Sequence, residues 1–105
     1  MGFNGLPGLA ATEHAILSLL ICGREMYGLE MVDKSKGLLK RGTIYVTLNR
    51  MEEKGYLTSR HEEKPADRPG LPRRLYKITG HGARVVRAWD AAAAAWSGGV
   101  LGGLA

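Results

Sequence analysis

Glycine and proline cut this chain into short pieces. Gly23, Gly37 and Gly55 fall along its first half, and residues 64–72 (KPADRPGLP) hold three prolines and a glycine. No helix between these breaks can exceed about five turns, and the proline-rich stretch must be a loop. The segments between the breaks keep helical or strand periodicity. A first helix is expected from Thr12 as N-cap, with Glu13 in its positive first turn and Ala15, Ile16, Leu19 and Leu20 as a buried stripe. A second covers about Met26 to Lys34, with Tyr27, Met31 and Val32 in the core and Gly28 allowing close packing. A third runs from about Arg41 to Lys54 and buries Ile44, Leu48 and Met51, spaced i, i+4, i+7; Gly55 suits its C′ position. Tyr56 to Arg60 reads as a strand, and Leu75, Tyr76 and Ile78 as its return across the loop. Thr79 caps a fourth helix that should run to about Trp96.

At 105 residues the chain holds one domain. It is 45% hydrophobic and 24% charged, which suits a folded globule and argues against disorder. A single cysteine, Cys22, excludes a disulfide framework and a cysteine-based zinc site. The sequence has no apolar run of membrane-spanning length and no signal-type start, so a cytoplasmic protein without a membrane role is expected. His14, His61 and His81 are scattered and no catalytic or metal-binding motif is present, so neither an enzyme nor a cofactor or metal site is expected.

The order is helix, helix, helix, strand, basic loop, strand, helix. That is a mainly α fold with a small β-hairpin, the plan of a winged helix-turn-helix followed by one C-terminal helix. The expected division is a flexible arm over 1–11, the winged domain over 12–78, a dimerisation helix over 79–97 and a flexible tail over 98–105. Charge agrees with this plan. The net charge is +5, but residues 34–87 carry 14 of the 15 lysines and arginines and only 5 of the 10 acids, a local net of +9. Such a stretch suits a polyanion, although a solvated basic surface would look the same.

Four stretches in order carry a resemblance: Met26-Tyr27-Gly28; Arg41-Gly42-Thr43-Ile44-Tyr45; Leu48-Asn49-Arg50-Met51-Glu52-Glu53-Lys54-Gly55-Tyr56-Leu57; and Arg73-Arg74-Leu75-Tyr76-Lys77-Ile78-Thr79. Together they resemble the PadR-like transcriptional regulators over about residues 12–90. Three departures stand out. Val46-Thr47 occupies a place where many members have Pro-Ala. Gly80-His81-Gly82 weakens a helix start that is often acidic there. The length matches a short form, without the family's larger C-terminal domain. The resemblance implies a homodimeric repressor on an inverted-repeat operator in double-stranded DNA.

On the third helix the face opposite the core offers Thr43, Val46, Thr47, Asn49 and Arg50. Asn can pair with adenine, Arg with guanine or phosphate, and apolar groups with a thymine methyl. Lys40 and Arg41 sit at the helix start, where free N–H groups also favour phosphate. Tyr45 is either a packing residue or one whose hydroxyl reaches a phosphate. In the wing, Lys64, Arg68, Arg73 and Arg74 are candidate backbone or minor-groove contacts, diluted by Glu62, Glu63 and Asp67.

On the fourth helix Val86, Trp89, Ala93 and Trp96 are spaced as a two-per-heptad seam and are the candidate dimer interface, unless one tryptophan folds back onto its own domain. The resemblance to the short-form PadR-like regulators also implies Trp89 and Trp96 as candidates for stacking on a small aromatic effector. The rival readings are a winged-helix module that binds an acidic protein rather than DNA, and a binder of structured RNA.

Overall fold

The protein is described by a computed structural model over residues 8–63 and 73–104, with side chains through residue 96. Most of the expected arm over 1–11 and the loop over 64–72 lie outside the described residues. Helix α1 (Ala11–Leu20) starts one residue before the expected cap. Ala10 holds the N-cap position, and its N–H donates to Glu13 Oε1 at 3.0 Å. Thr12 is therefore inside the first turn, and the capping oxygen comes from the third helical residue reaching back. The other Glu13 oxygen accepts from Lys54 Nζ at 2.7 Å, so a buried carboxylate ties the start of this helix to a residue 41 positions on. Ile16, Leu17 and Leu20 are fully buried, while Ala15 and Leu19 only rest against the core. The buried stripe is thus turned by about one residue from the one the spacing suggested.

The largest departure from expectation follows. Met26 and Tyr27 form a two-residue strand, β1, and helix α2 (Gly28–Lys34) begins only afterwards. β1 pairs antiparallel with β3 (Arg74–Ile78), Met26 opposite Tyr76 and Tyr27 opposite Leu75. With β2 (Leu57–His61) on the other side, the hairpin becomes a three-stranded sheet of order β1-β3-β2. Two residues are too few to show a period, so no sequence pattern marks the third strand.

Helix α3 (Ile44–Glu53) is shorter than expected, because residues 41–43 form the turn that enters it. Ile44, Leu48 and Met51 are buried as their spacing requires. Its end is a Schellman closure: Tyr56 N–H donates to Met51 O at 2.9 Å and Gly55 N–H to Glu52 O at 3.0 Å. Gly55 supplies the left-handed residue this needs, at φ +80°.

The chain then returns to the same corner. Thr79 N–H donates to Tyr56 O at 3.0 Å, and Thr79 Oγ1 donates to Gly55 O at 2.6 Å while accepting from Gly82 N–H at 2.9 Å. Thr79 thus caps helix α4 (Gly80–Leu104) and fastens it to the end of α3. The backbone of Gly82 lies on the Tyr56 carbonyl, which an added Cβ would overlap. The Gly80-His81-Gly82 start, unfavourable by helix propensity, is a packing requirement at its third residue. α4 continues beyond Trp96, where a stop was expected, to Leu104. Among the described residues no helix is long and apolar enough to cross a membrane.

All three strands and the first half of α4 close one core, in which Met26, Leu57, Tyr76, Val85 and Val86 meet the buried faces of α1 to α3. Gly82→Ala is expected to destabilise the fold by about 1–3 kcal/mol, since the obstacle is backbone and cannot rotate away. Gly80→Ala, which meets only the Arg84 guanidinium at ordinary contact distance, should instead stabilise it by up to about 1 kcal/mol. Urea unfolding of the two variants beside the parent measures both.

Candidate nucleic-acid interface

Burying Ile44, Leu48 and Met51 fixes which side of α3 faces outward. Val46 is 54% exposed and Tyr45 45%, and Asn49 and Arg50 are exposed on the same outer surface. Lys40, Arg41 and Thr43 are exposed on the turn that leads into it. Thr47 is half-buried, and its hydroxyl is turned inward to Thr43 O at 3.2 Å. It offers a methyl more readily than a donor. The Thr43 side chain makes no capping bond and stays at the surface.

Tyr45 is held in place by an absence. A Cβ added at Gly28 would lie 2.8 Å from the Tyr45 ring, so only glycine lets the start of α2 meet this side chain so closely. The Tyr45 ring packs on α2 as the packing reading expects, and much of it is open to solvent. It forms one wall of a cleft of about 750 Å³, with Tyr27, Leu29, Glu30 and Asp33 from β1 and α2, and Arg73 and Arg74 from the wing. The cleft joins α3 to the root of the hairpin.

The cations near this surface differ in how far their charge is already spent. Arg60 is bound bidentately by Glu25 at 2.8 Å on both oxygens. Those hydrogen bonds hold the Glu25 carboxyl below the usual carboxylate range, against a smaller upward push from burial, and Glu25 in turn raises the Arg60 guanidinium. With the folded value lowered, the pair is complete above the ordinary carboxylate pKa and is lost only as pH falls through the folded one. Lys54 is taken by Glu13. Arg73 lies over the Tyr27 ring at 5.0 Å, and the Tyr27 hydroxyl donates to Glu62. Among the described residues, Arg74 donates to Ser59 Oγ at 2.8 Å and to His61 Nε2 at 3.1 Å and makes no ion pair. Among the described residues, no acidic partner holds the side chain of Lys40, Arg41 or Arg50. Of the cations that border this surface, Lys40, Arg41, Arg50 and Arg74 thus make no ion pair among the described residues. Burial pushes the Tyr76 phenol above its ordinary value while Arg74 pulls it down, so the ring stays neutral beneath this surface.

Lys64 and Arg68 lie outside the described residues. The α4 seam divides. Val86 is 1% exposed and belongs to the protein's own core, which removes it from the candidate dimer residues. Trp89 is half-buried and packs against that core. Ala93 and Trp96 are exposed, Trp96 at 67%. Val86 drops out of the seam because the first turns of α4 pack on the core, and the exposed seam residues among the described side chains are Ala93 and Trp96. Sequence reading missed Ser59, His61 and Glu52, which contact Arg74 directly or through one another. Exact strand register would have found the first two, because Arg74 is paired with His61, and Ser59 with the neighbouring Tyr76.

With this geometry in view, comparison with known proteins is informative. The family described as "Transcriptional regulator PadR-like family" matches residues 16–88. A PadR-like transcription factor from Bacteroides fragilis shares the fold at a TM-score of 0.73 and 23% identity, over 90% of this chain and 89% of that one. A PadR family regulator from Eggerthella lenta is 28% identical at a TM-score of 0.67, over 87% of this chain and 79% of its own. Bacillus subtilis PadR, solved in complex with operator DNA, matches at a TM-score of 0.67 and 24% identity, over 78% of this chain but 48% of that one. No curated protein sequence matches this chain.

Gly28→Ala is expected to displace the half-exposed Tyr45 ring, at a cost of up to about 1 kcal/mol because the ring can turn aside toward solvent. Adding Tyr45→Ala should cancel most of that cost, because the obstacle is then gone. A double-mutant cycle of urea midpoints checks it; additive losses would mean that Gly28 meets something else.

Proposed function

This chain belongs to the PadR-like family of transcriptional regulators, and from that footing we propose that it is a homodimeric repressor that binds an inverted-repeat operator in duplex DNA. The observation that carries the proposal is that Lys40, Arg41, Arg50 and Arg74, which border an exposed helix face bearing Asn49, have no ion-pair partner among the described residues. A surface kept basic while nearby acids neutralise Arg60 and Lys54 suits a polyanion. The relative from Bacillus subtilis solved with operator DNA supports the same partner.

In this reading α3 enters the major groove. Asn49 reads a base edge, Val46 and Thr47 present methyl groups to thymine, and Thr43 lies near the backbone at the helix start. Lys40, Arg41, Arg50, Tyr45, Arg73 and Arg74 hold phosphates on either side, and Lys64 and Arg68, from the stretch between the two strands, are proposed to add to them. Two copies associate through the outer side of α4, where Ala93 and Trp96 are exposed and Trp89 lies at the margin. That pairing sets two recognition helices roughly 34–36 Å apart, one turn of DNA. A small aromatic effector stacking on Trp89 or Trp96 would alter the angle between subunits and so lower operator affinity.

The test is a fluorescence-anisotropy titration of the duplex upstream of the chain's own gene against a shuffled duplex, at several salt concentrations. Binding should be steeply salt-dependent and favour the upstream duplex by at least about 10³. Asn49→Ala should relax preference at one base pair by about 1–3 kcal/mol, whereas Arg74→Ala should weaken all duplexes alike and lower the salt slope by about one. No binding at low salt would favour a protein-interaction module; equal preference for duplex RNA would point to a different nucleic acid, since the A-form major groove does not admit a helix. For the dimer, Trp96→Asp should turn a dimer into a monomer in sedimentation at micromolar concentration, with the unfolding midpoint of the winged domain little changed.

A further inference from the structure

Arg74 is held by an arrangement that gives a neighbouring serine a role of its own. Ser59 Oγ lies 2.8 Å from Arg74 Nη1 and 2.9 Å from Glu52 Oε2. A guanidinium only donates and an ionised carboxylate only accepts, so the hydroxyl must accept from Arg74 and pass its own proton toward Glu52. The three residues come from β3, β2 and α3, and His61, opposite Arg74 in the strand pair, receives the other arm of the guanidinium at 3.1 Å. The nearest acid to Arg74 in this cluster is therefore separated from it by a single hydroxyl. The contrast is Arg60 on the same strand as Ser59, where no such spacer intervenes and Glu25 takes both arms of the guanidinium.

We infer that Ser59 is a positioning residue for DNA binding: it occupies Glu52, keeps that carboxylate from neutralising Arg74, and holds the guanidinium at the mouth of the cleft for a phosphate of the duplex backbone. The inference rests on the proposed DNA-binding function. Its chemical content is specific. Without the hydroxyl, Arg74 and Glu52 are opposite charges with nothing between them, and they close into a direct pair. The loss is then one of available charge, not of a structural contact. The same arrangement couples the wing to the recognition helix, because Arg74 sits on β3 while Glu52 sits on α3.

The experiment is anisotropy on a mixed-sequence duplex a few turns long, so that no operator need be known. Parent protein, Arg74→Ala, Ser59→Ala, Ser59→Thr, Glu52→Gln and the Ser59→Ala/Glu52→Gln double variant are compared across salt, with each variant's folding checked by circular dichroism. Arg74→Ala should lose about tenfold in affinity and about 0.9 in the log–log salt slope. Ser59→Ala should lose the same two quantities although every cation is still present. Ser59→Thr, which keeps the hydroxyl, should bind as the parent does. The double variant should recover both quantities, because no carboxylate remains to capture Arg74, and Glu52→Gln alone should bind at least as tightly as the parent. A Ser59→Ala protein with parental affinity overturns the inference while leaving the DNA-binding function standing. So does a weakened Ser59→Ala that the second substitution fails to rescue, which would make Ser59 a structural residue only. Weakened binding by Glu52→Gln counts equally against it. Failure of the parent itself to bind duplex at low salt removes the DNA-binding function, and this inference with it.

Discussion

The contact between the start of α4 and the corner after α3 organises the rest of the molecule. Four chain segments converge there: the Schellman end of α3, the residue that leads into β2, the residue that follows β3 and the first turn of α4. The Tyr56 carbonyl accepts from Thr79, and the Gly82 backbone packs directly on it. Because α3 and the sheet are fixed to one another at this point, the exposed face of α3 has a set orientation relative to the root of the wing. The long helix is fixed there too. Its first turns then roof the core with Val85 and Val86. A chain this short has little redundant surface to bury, so one backbone contact can decide several elements together.

Much of this was readable from the residues. The breaks at Gly23, Gly37 and Gly55 marked the helix ends, and the spacing of Ile44, Leu48 and Met51 identified both the buried and the exposed faces of α3. What was missed has physical causes. β1 is two residues long and owes its existence to a partner strand some fifty residues away, so local pattern carries no trace of it. Thr12 looked like a cap, but Glu13 does that work from inside the helix while also binding Lys54, a contact that sequence alone does not reveal. Gly82 looked like a weakness because propensity measures an isolated helix, whereas here the backbone must touch a carbonyl. Val86 fell on the seam that joins it to Trp96 because a heptad count does not know where a roof ends and an open helix begins.

At the candidate interface, the charge count indicated a basic surface but not which cations are free. Arg60 and Arg74 look alike in sequence, yet one is paired with Glu25 and the other, among the described residues, with a hydroxyl and an imidazole. The distinction lies in which residues the strand register places side by side. A net charge therefore overstates what a partner would meet, and the location of the acids matters more than their number.

The anchoring of α4 has a geometrical consequence. Among the described side chains, its contacts with the domain, from Gly82 through Val86 and Trp89 to the His14–Asp90 pair, lie within its first eleven residues. The remaining fourteen residues extend for about 21 Å at the usual helical rise. A long helix gripped near one end behaves as a lever. A tilt of about 5° at the root carries the far end through about 2 Å, comparable to the diameter of an atom. Small changes in how the domain grips its own helix are thereby magnified at the tip, and forces applied at the tip return to the domain reduced in travel but increased in strength.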